Sequence, residues 1–415
     1  MSKPMGAIPA GYAADADGML LIGGRRADAL VAETGDTPLF VYDLSLIDRR
    51  IAAFRASFPG IELHYAIKAN PYTTLLTHVA KYVDGLDVAS GGELRFALEA
   101  GGDPAEISFA GPGKRDTELE QAIRAGITLN CESESEAERA FTIGAKIGLT
   151  PRLAVRVNPD FEIKGSGMRM GGGAKPFGVD AARVPALVRQ IVAAGAEYRG
   201  FHIFAGSQAL DAAALIEAQR ATLVLAGQLS EEAQAPPPLV NLGGGFGIPY
   251  FHGEPALDVA AVGQALTEAL PGRAAILADS AFAIELGRWL VGEAGVYLTR
   301  ILDRKQSHGK TFLVTDGGMH HQLAASGNFG QVVRRNYPVA IAGRFGAEPE
   351  EEVSIVGCLC TPLDRLADDV MAPRAEPGDL VAVFQAGAYG LSASPHTFLA
   401  QHPAGEKVVG LPAGN

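Results

Sequence analysis

Cysteine is scarce in this chain: three residues in 415, at Cys131, Cys358 and Cys360. An odd, small number in a long chain builds no disulfide framework. No apolar run reaches the ~18 residues that a membrane helix requires, so no transmembrane span is expected. The opening stretch, MSKPMGAIPAGYAADADG, contains no apolar signal core, and a cytoplasmic protein is expected. Basic residues are outnumbered, 35 Lys and Arg against 47 Asp and Glu, for a formal charge of −12. That balance excludes a general nucleic-acid binder, which needs a basic face. Apolar residues make up 47% and charged residues 20%, a globular mix that excludes disorder and collagen. The length suits two compact domains, or one barrel with an appendage. Glycine is plentiful, 51 residues, and clustered. Such clusters mark close backbone approaches, often to phosphate.

From about residue 36 to 295, short apolar runs alternate with helical patterns. The strand-like runs are 61–70, 85–90, 107–113, 127–133, 152–160, 198–206, 238–245 and 274–287. Most are followed by a helix; Asn70 and Pro71 look like an N-cap and first helical position ahead of Leu75, Leu76, Val79 and Val83. Eight β-then-α units in about 250 residues is the count of a (β/α)8 TIM barrel, with a doubly wound open sheet as the alternative. After about 295 the runs GVYLTRILDR, KTFLVTD, EEVSIVG and DLVAVFQAG are separated by the turn signals SHGK, DGG and EPGD. This reads as a β domain over 296–415, a β-sandwich or β-barrel-like fold that residues 1–35 could join through MLLIGG.

Several residues could carry chemistry. Lys68 falls at the carboxyl end of the first barrel strand, on the rim where barrel active sites sit. A lysine there can lose its proton and form a Schiff base; taken alone, the ordinary reading is a solvent-facing strand-end lysine. NLGGGFG (241–247) follows the seventh strand, and its three consecutive glycines let backbone amides converge on an anion. ELGR (285–288) puts Glu285 and Arg288 near the same rim, where a surface ion pair is the bland reading. GFHIFAGSQ (200–208) offers Ser207 to a phosphate and His202 or Phe204 to a ring, although a histidine on a buried strand is more often a core residue. In VGCLCTPLD (356–364), alternate cysteines are expected on one face of a strand, and AGAYG follows at 386–390. No second Cys or His pair follows at zinc spacing, so no metal is expected; His320 and His321 in DGGMHH are a weak option.

The order of these motifs is more specific than any one of them. YAIKAN, DVASGGE, GFHIFAGSQ, LGGGFG, ELGR, then GCLC with LD and GAYG, resembles the fold-type III pyridoxal-phosphate decarboxylases, the diaminopimelate, ornithine and arginine decarboxylase relatives of alanine racemase. The resemblance runs from about 36 to 400, and the finer pattern is similar to decarboxylases associated with exosortase and exopolysaccharide gene clusters. It implies a (β/α)8 barrel of the alanine racemase type over 36–295 that binds pyridoxal 5'-phosphate. Lys68 would be the cofactor lysine. Gly244, Gly245, Gly287 and Arg288 would hold the phosphate, with hydroxyls from Ser207 and Tyr389. Glu285 would face the pyridine nitrogen, with Asp87 and Glu93 lining the cofactor and Arg156 near the ring. Cys360 would be the proton donor or acceptor, brought by the second subunit of a homodimer with shared sites. Thr361, Asp364 and Arg288 would meet the substrate.

Three departures bear on the substrate. Phe204 stands where the family has a second histidine in HxHxGSQ. Thr361 replaces the acid that reads a distal ammonium in the diaminopimelate and ornithine enzymes. HHQLAASGNF (320–329) replaces the Arg-Pro-x-x-Tyr pattern that binds the remote end of diaminopimelate. The reading is therefore decarboxylation of an amino acid lacking a distal ammonium, free or tethered to a carrier protein. A basic amino acid decarboxylase, a racemase on the same fold, a non-catalytic relative and a cofactor-free Schiff-base aldolase are the alternatives. The stretch 164–178, with six glycines and the cations Lys164, Arg169 and Lys175, is expected to be a mobile flap, or else a plain surface loop.

Overall fold

The computed structural model describes residues 2–162, 167–169, 171–328 and 334–410. The chain divides into two compact units: one of Ile51–Ile248 and Ala256–Gly287, the other of Met1–Arg50, Pro249–Pro255 and Arg288–Asn415.

The first unit is a closed barrel of eight parallel strands: Glu62–Ala66, Gly85–Val88, Ile107–Phe109, Thr128–Cys131, Arg152–Asn158, Glu197–Ile203, Leu239–Gly244 and Ala281–Leu286. The last strand closes onto the first, with Ala283 opposite Glu62 and Glu285 opposite His64. The strands are short, nearly continuous buried runs, the pattern of a sheet covered on both faces. Seven carry a helix behind them, from Thr73–Val79 to Val259–Ala269; after the eighth comes only the four-residue Arg288–Val291. Side-chain caps set the helix starts: Ser90 accepts from the Glu93 amide and Ser133 from the Glu136 amide. Gly126 and Gly148 end their helices in the left-handed conformation.

Three local expectations shift. The first strand ends at Ala66, and Lys68 lies in a 3-10 turn, Ile67–Ala69, rather than on the strand. Asn70 is extended, as a residue before proline prefers, and its Oδ1 accepts the Tyr72 amide at 3.0 Å, so the helix starts at Thr73 instead of Pro71. The eighth strand starts at Ala281. Its expected first residues are wound instead into the turn Ala275–Leu277, where Arg273 donates to the carbonyls of Leu270, Leu277 and Ala278.

The second unit is built on an eight-stranded sheet. Gly295–Ser307 is its centre, flanked by Lys310–Thr315, Leu380–Val383 and Leu39–Asp43. The run 36–50, expected in the barrel, belongs here: Leu39–Asp43 pairs antiparallel with Gly295–Ser307 and parallel with Gly405–Val409. Leu39, Phe40, Val41 and Tyr42 are buried on both faces and so read alike in either unit; the pairing partners decide. Arg365–Ala372 was hidden by its acids, which the structure satisfies: the Asp368 amide and carbonyl bond the Asn336 side chain, and the Asp368 carboxylate meets Arg365 and Lys3. Leu20, Ile22, Leu30, Leu39, Val41, Val296, Leu298 and Phe384 share one core, which joins the N-terminal segment to this unit. No described helix is long and apolar enough to cross a membrane.

Candidate active site

In the barrel unit, the ends of strands one, six and eight bring together Lys68, His202 and Glu285. Lys68 Nζ lies 3.2 Å from Glu285 Oε1, and His202 Nε2 donates to Glu285 Oε2 at 2.8 Å. The carboxylate is buried and the lysine side chain is half exposed. Burial opposes ionisation of Glu285. The Lys68 charge, the hydrogen bond and charge of His202, and the Arg156 charge outweigh it and hold Glu285 well below the usual carboxylate range. The Phe204 ring centre stands 5.7 Å from Lys68 Nζ. The geometry thus supplies an accessible amine beside a carboxylate locked in its ionised form.

Glu93 reaches back past the Ser90 N-cap: its Oε2 accepts the Ala89 amide at 2.7 Å. Burial raises its pKa, against the pull of the Ala89 amide and the Lys68 charge. Asp87 points into the barrel, accepting from Ser108 Oγ and lying 3.6 Å from His64 Nδ1. Burial disfavours the His64 cation, but Asp87 and Glu62 prevail and push its pKa up to about 10. Arg156 is engaged by Glu132 at 2.7 Å and stacks over Phe177.

Gly244 is opposite Glu285 across the last two strands, and a Cβ there would stand 1.9 Å from the Glu285 carbonyl oxygen. Gly245 has φ +80, which favours glycine. Ser207 pairs in a two-residue strand with Met168, and Gly287 follows the eighth strand. The result is a side-chain-free backbone cradle at the ends of strands seven and eight, beside a lysine and an ionised acid. These residues fit a phosphorylated pyridine aldehyde: glycine amides for its phosphate, Lys68 for its carbonyl and Glu285 for its ring nitrogen.

The remaining expected residues lie in the second unit. Arg288 donates to the Tyr250 hydroxyl at 2.7 Å, and its guanidinium lies over the rings of Tyr389 and Tyr250. Its Nε is buried with no hydrogen-bond partner among the described residues. Cys358 and Cys360 are not alternate residues of a strand: the strand ends at Val356 and both lie in the bend that follows. Cys358 is half-buried with its thiol toward the Asp316 carbonyl, whereas Cys360 is exposed. Thr361 Oγ1 accepts the Leu363 amide at 3.3 Å. Asp364, expected at the substrate, is buried and ties its loop to the segment at Met319, accepting the amides of Met319 at 2.6 Å and Leu359 at 2.9 Å. Among the described residues no cluster of three or more His, Cys, Asp or Glu could hold a metal. Part of the expected flap, 164–166 and 170, lies outside the described residues. The sequence reading missed Glu132 and Tyr250. Their signals were an acid at the end of strand four and an aromatic shortly after the glycine loop.

The family described as pyridoxal-dependent decarboxylase, pyridoxal binding domain, matches residues 44–292. An L-glutamyl-[BtrI acyl-carrier protein] decarboxylase from Niallia circulans is 37% identical over 89% of this chain and 87% of that protein. A diaminopimelate decarboxylase from Archaeoglobus fulgidus is 33% identical over 90% of this chain and 88% of its own. The crystal structure of diaminopimelate decarboxylase from Helicobacter pylori complexed with L-lysine superposes with a TM-score of 0.82 at 28% identity, covering 92% of this chain and 94% of that one. The eight-stranded barrel, the lysine and acid at its rim and these matches converge: the chain belongs to the pyridoxal-phosphate-dependent decarboxylases of the (β/α)8 fold.

Proposed function

We propose that this decarboxylase acts on an α-amino acid whose remote end carries no ammonium, and that the amino acid is presented free or on a carrier protein. The observation that carries the reading is the loop 357–364. Its one carboxylate, Asp364, is buried and engaged by two backbone amides, so the loop offers no acid to a distal cation. A buried ammonium without such a partner is costly. The glutamyl carrier-protein relative supports the same class of substrate.

When bound, the cofactor supplies the electron sink for the bond that releases carbon dioxide. Lys68 is the residue to hold it covalently. Glu285, kept ionised, favours the protonated ring nitrogen. His202 fixes the carboxylate, and the glycine cradle with Ser207 takes the phosphate together with Arg288 and Tyr389. Cys360 returns a proton to the α-carbon, and it comes from the partner copy of a cytoplasmic homodimer. The test is a carbon-dioxide release screen over free amino acids and aminoacyl carrier proteins. Acidic, neutral or tethered substrates should lead; faster turnover of lysine, ornithine or diaminopimelate would overturn the reading.

A further inference from the structure

Glu132 directly follows the fourth barrel strand, Thr128–Cys131, with 6% of its surface exposed, and its carboxylate takes donors from three separate segments. Oε1 accepts the Gly111 amide at 2.5 Å and Arg156 Nη1 at 2.7 Å; Oε2 accepts the Gly178 amide at 2.7 Å. Lys114, buried nearby, is engaged by Glu136 and by the carbonyls of Gly111 and Asn130. Arg156 is in contact with Glu132 and stands opposite His202 across strands five and six, the residue that bonds Glu285, so two acids compete for it. A buried guanidinium binds whichever carboxylate offers the shorter, charge-assisted bond. On the far side, the Phe177 ring centre lies 5.0 Å from the Arg156 guanidinium carbon, and the neighbouring Gly178 is itself tied to Glu132.

We propose that Glu132 is a positioning residue: it holds Arg156 beside Glu285 rather than on it, and clamps the guanidinium by fixing Gly178 and hence Phe177. This rests on the reading that Glu285 and Arg156 serve the cofactor. Without Glu132, Arg156 turns to Glu285 and occupies the carboxylate needed by the pyridine nitrogen. Lost charge-assisted bonding of this kind corresponds to about a 10-fold to 100-fold effect.

Glu132→Gln separates the parts. Its carbonyl oxygen keeps the Gly111 amide and its amide group meets the Gly178 N–H, while a neutral oxygen no longer competes with the Glu285 carboxylate for Arg156. Amide exchange at Gly178 should speed up at least about tenfold while Gly111 stays protected. In the holoenzyme kcat should fall about 10-fold or more, with KM and thermal midpoint little changed. Glu132→Asp, which keeps the charge, should recover most of kcat. Arg156→Gln should be impaired, and Glu132→Gln/Arg156→Gln should be no worse than Arg156→Gln, because Glu132 acts through Arg156. Losses that multiply in the double variant, or unchanged Gly178 exchange in Glu132→Gln, overturn the proposal while Arg156→Gln remains impaired. Wild-type kcat/KM in Arg156→Gln instead removes Arg156 from the cofactor site, and the catalytic half of the proposal falls with that reading. Should Glu132→Gln not fold, Glu132→Asp decides: Gly178 protection and kcat that stay close to wild type together, or fall together, support the clamp, and fast Gly178 exchange with unchanged kcat overturns it.

Discussion

Glu285 is buried yet ionised, which burial alone would forbid. Two direct partners resolve the conflict, Lys68 at 3.2 Å and His202 at 2.8 Å. The linkage has a definite sign. The folded-state pKa lies below the ordinary 4.5, so the stability tied to this group is complete above about pH 4.5 and drains as pH falls through the acid range. The slope from one such group is at most about 1.4 kcal/mol per pH unit. Glu285→Gln should remove that part of the acid sensitivity, read from denaturant midpoints at pH 3 and pH 7. It should also leave the cofactor bound but slow single-turnover carbon-dioxide release, since a lost charge-assisted hydrogen bond is worth about 1.5–3 kcal/mol. An unchanged single-turnover rate would assign Glu285 another task.

Among the elements, the meeting of strands seven and eight is the tightest at the rim. Gly244 lies against the Glu285 backbone with no space for a methyl group. Gly244→Ala should therefore push the two strands apart, cost about 1–3 kcal/mol in denaturant unfolding, and weaken pyridoxal phosphate binding measured by titration. Gly113→Ala is the control. Its Cβ would meet nothing within 4 Å, and the cost should stay within about 0.5 kcal/mol with cofactor affinity unchanged. Equal effects in both variants would mean that the close approach at Gly244 has no special role.

For the whole molecule, the proposed homodimer makes a numerical prediction. Lys68 belongs to the barrel unit and Cys360 to the other. If each site takes Lys68 from one chain and Cys360 from its partner, Lys68→Ala and Cys360→Ala chains are each inactive alone. In a mixed dimer one site carries both lesions and the other neither, so random pairing should return up to about a quarter of wild-type activity. Re-equilibrated mixtures that stay inactive, with both variants folded and dimeric, would show that the two residues act within one chain or that Cys360 is not catalytic.

The sequence by itself determined the eight barrel strands, because buried parallel strands are continuous apolar runs and four of the helix starts between them are marked by the polar caps Ser90, Ser133, Asp211 and Asp258. It also determined which segments carry Lys68, Gly244, Gly245 and Glu285, since rim residues follow directly from strand ends. The tertiary structure alone decided the rest. His202 and Glu285 are 83 positions apart and meet only because strands six and eight flank strand seven in a closed barrel. Glu132 gains its role from amides and a guanidinium at 111, 156 and 178, donors that no local pattern displays. Asp364 is an apparently available acid in CTPLD and is engaged, because the fold brings the Met319 amide, 45 positions away, and the loop's own Leu359 amide onto the carboxylate. Leu39–Asp43 moved from the barrel to the sheet unit for the same reason: a strand's composition states that it is buried, and only its hydrogen-bonded neighbours state where.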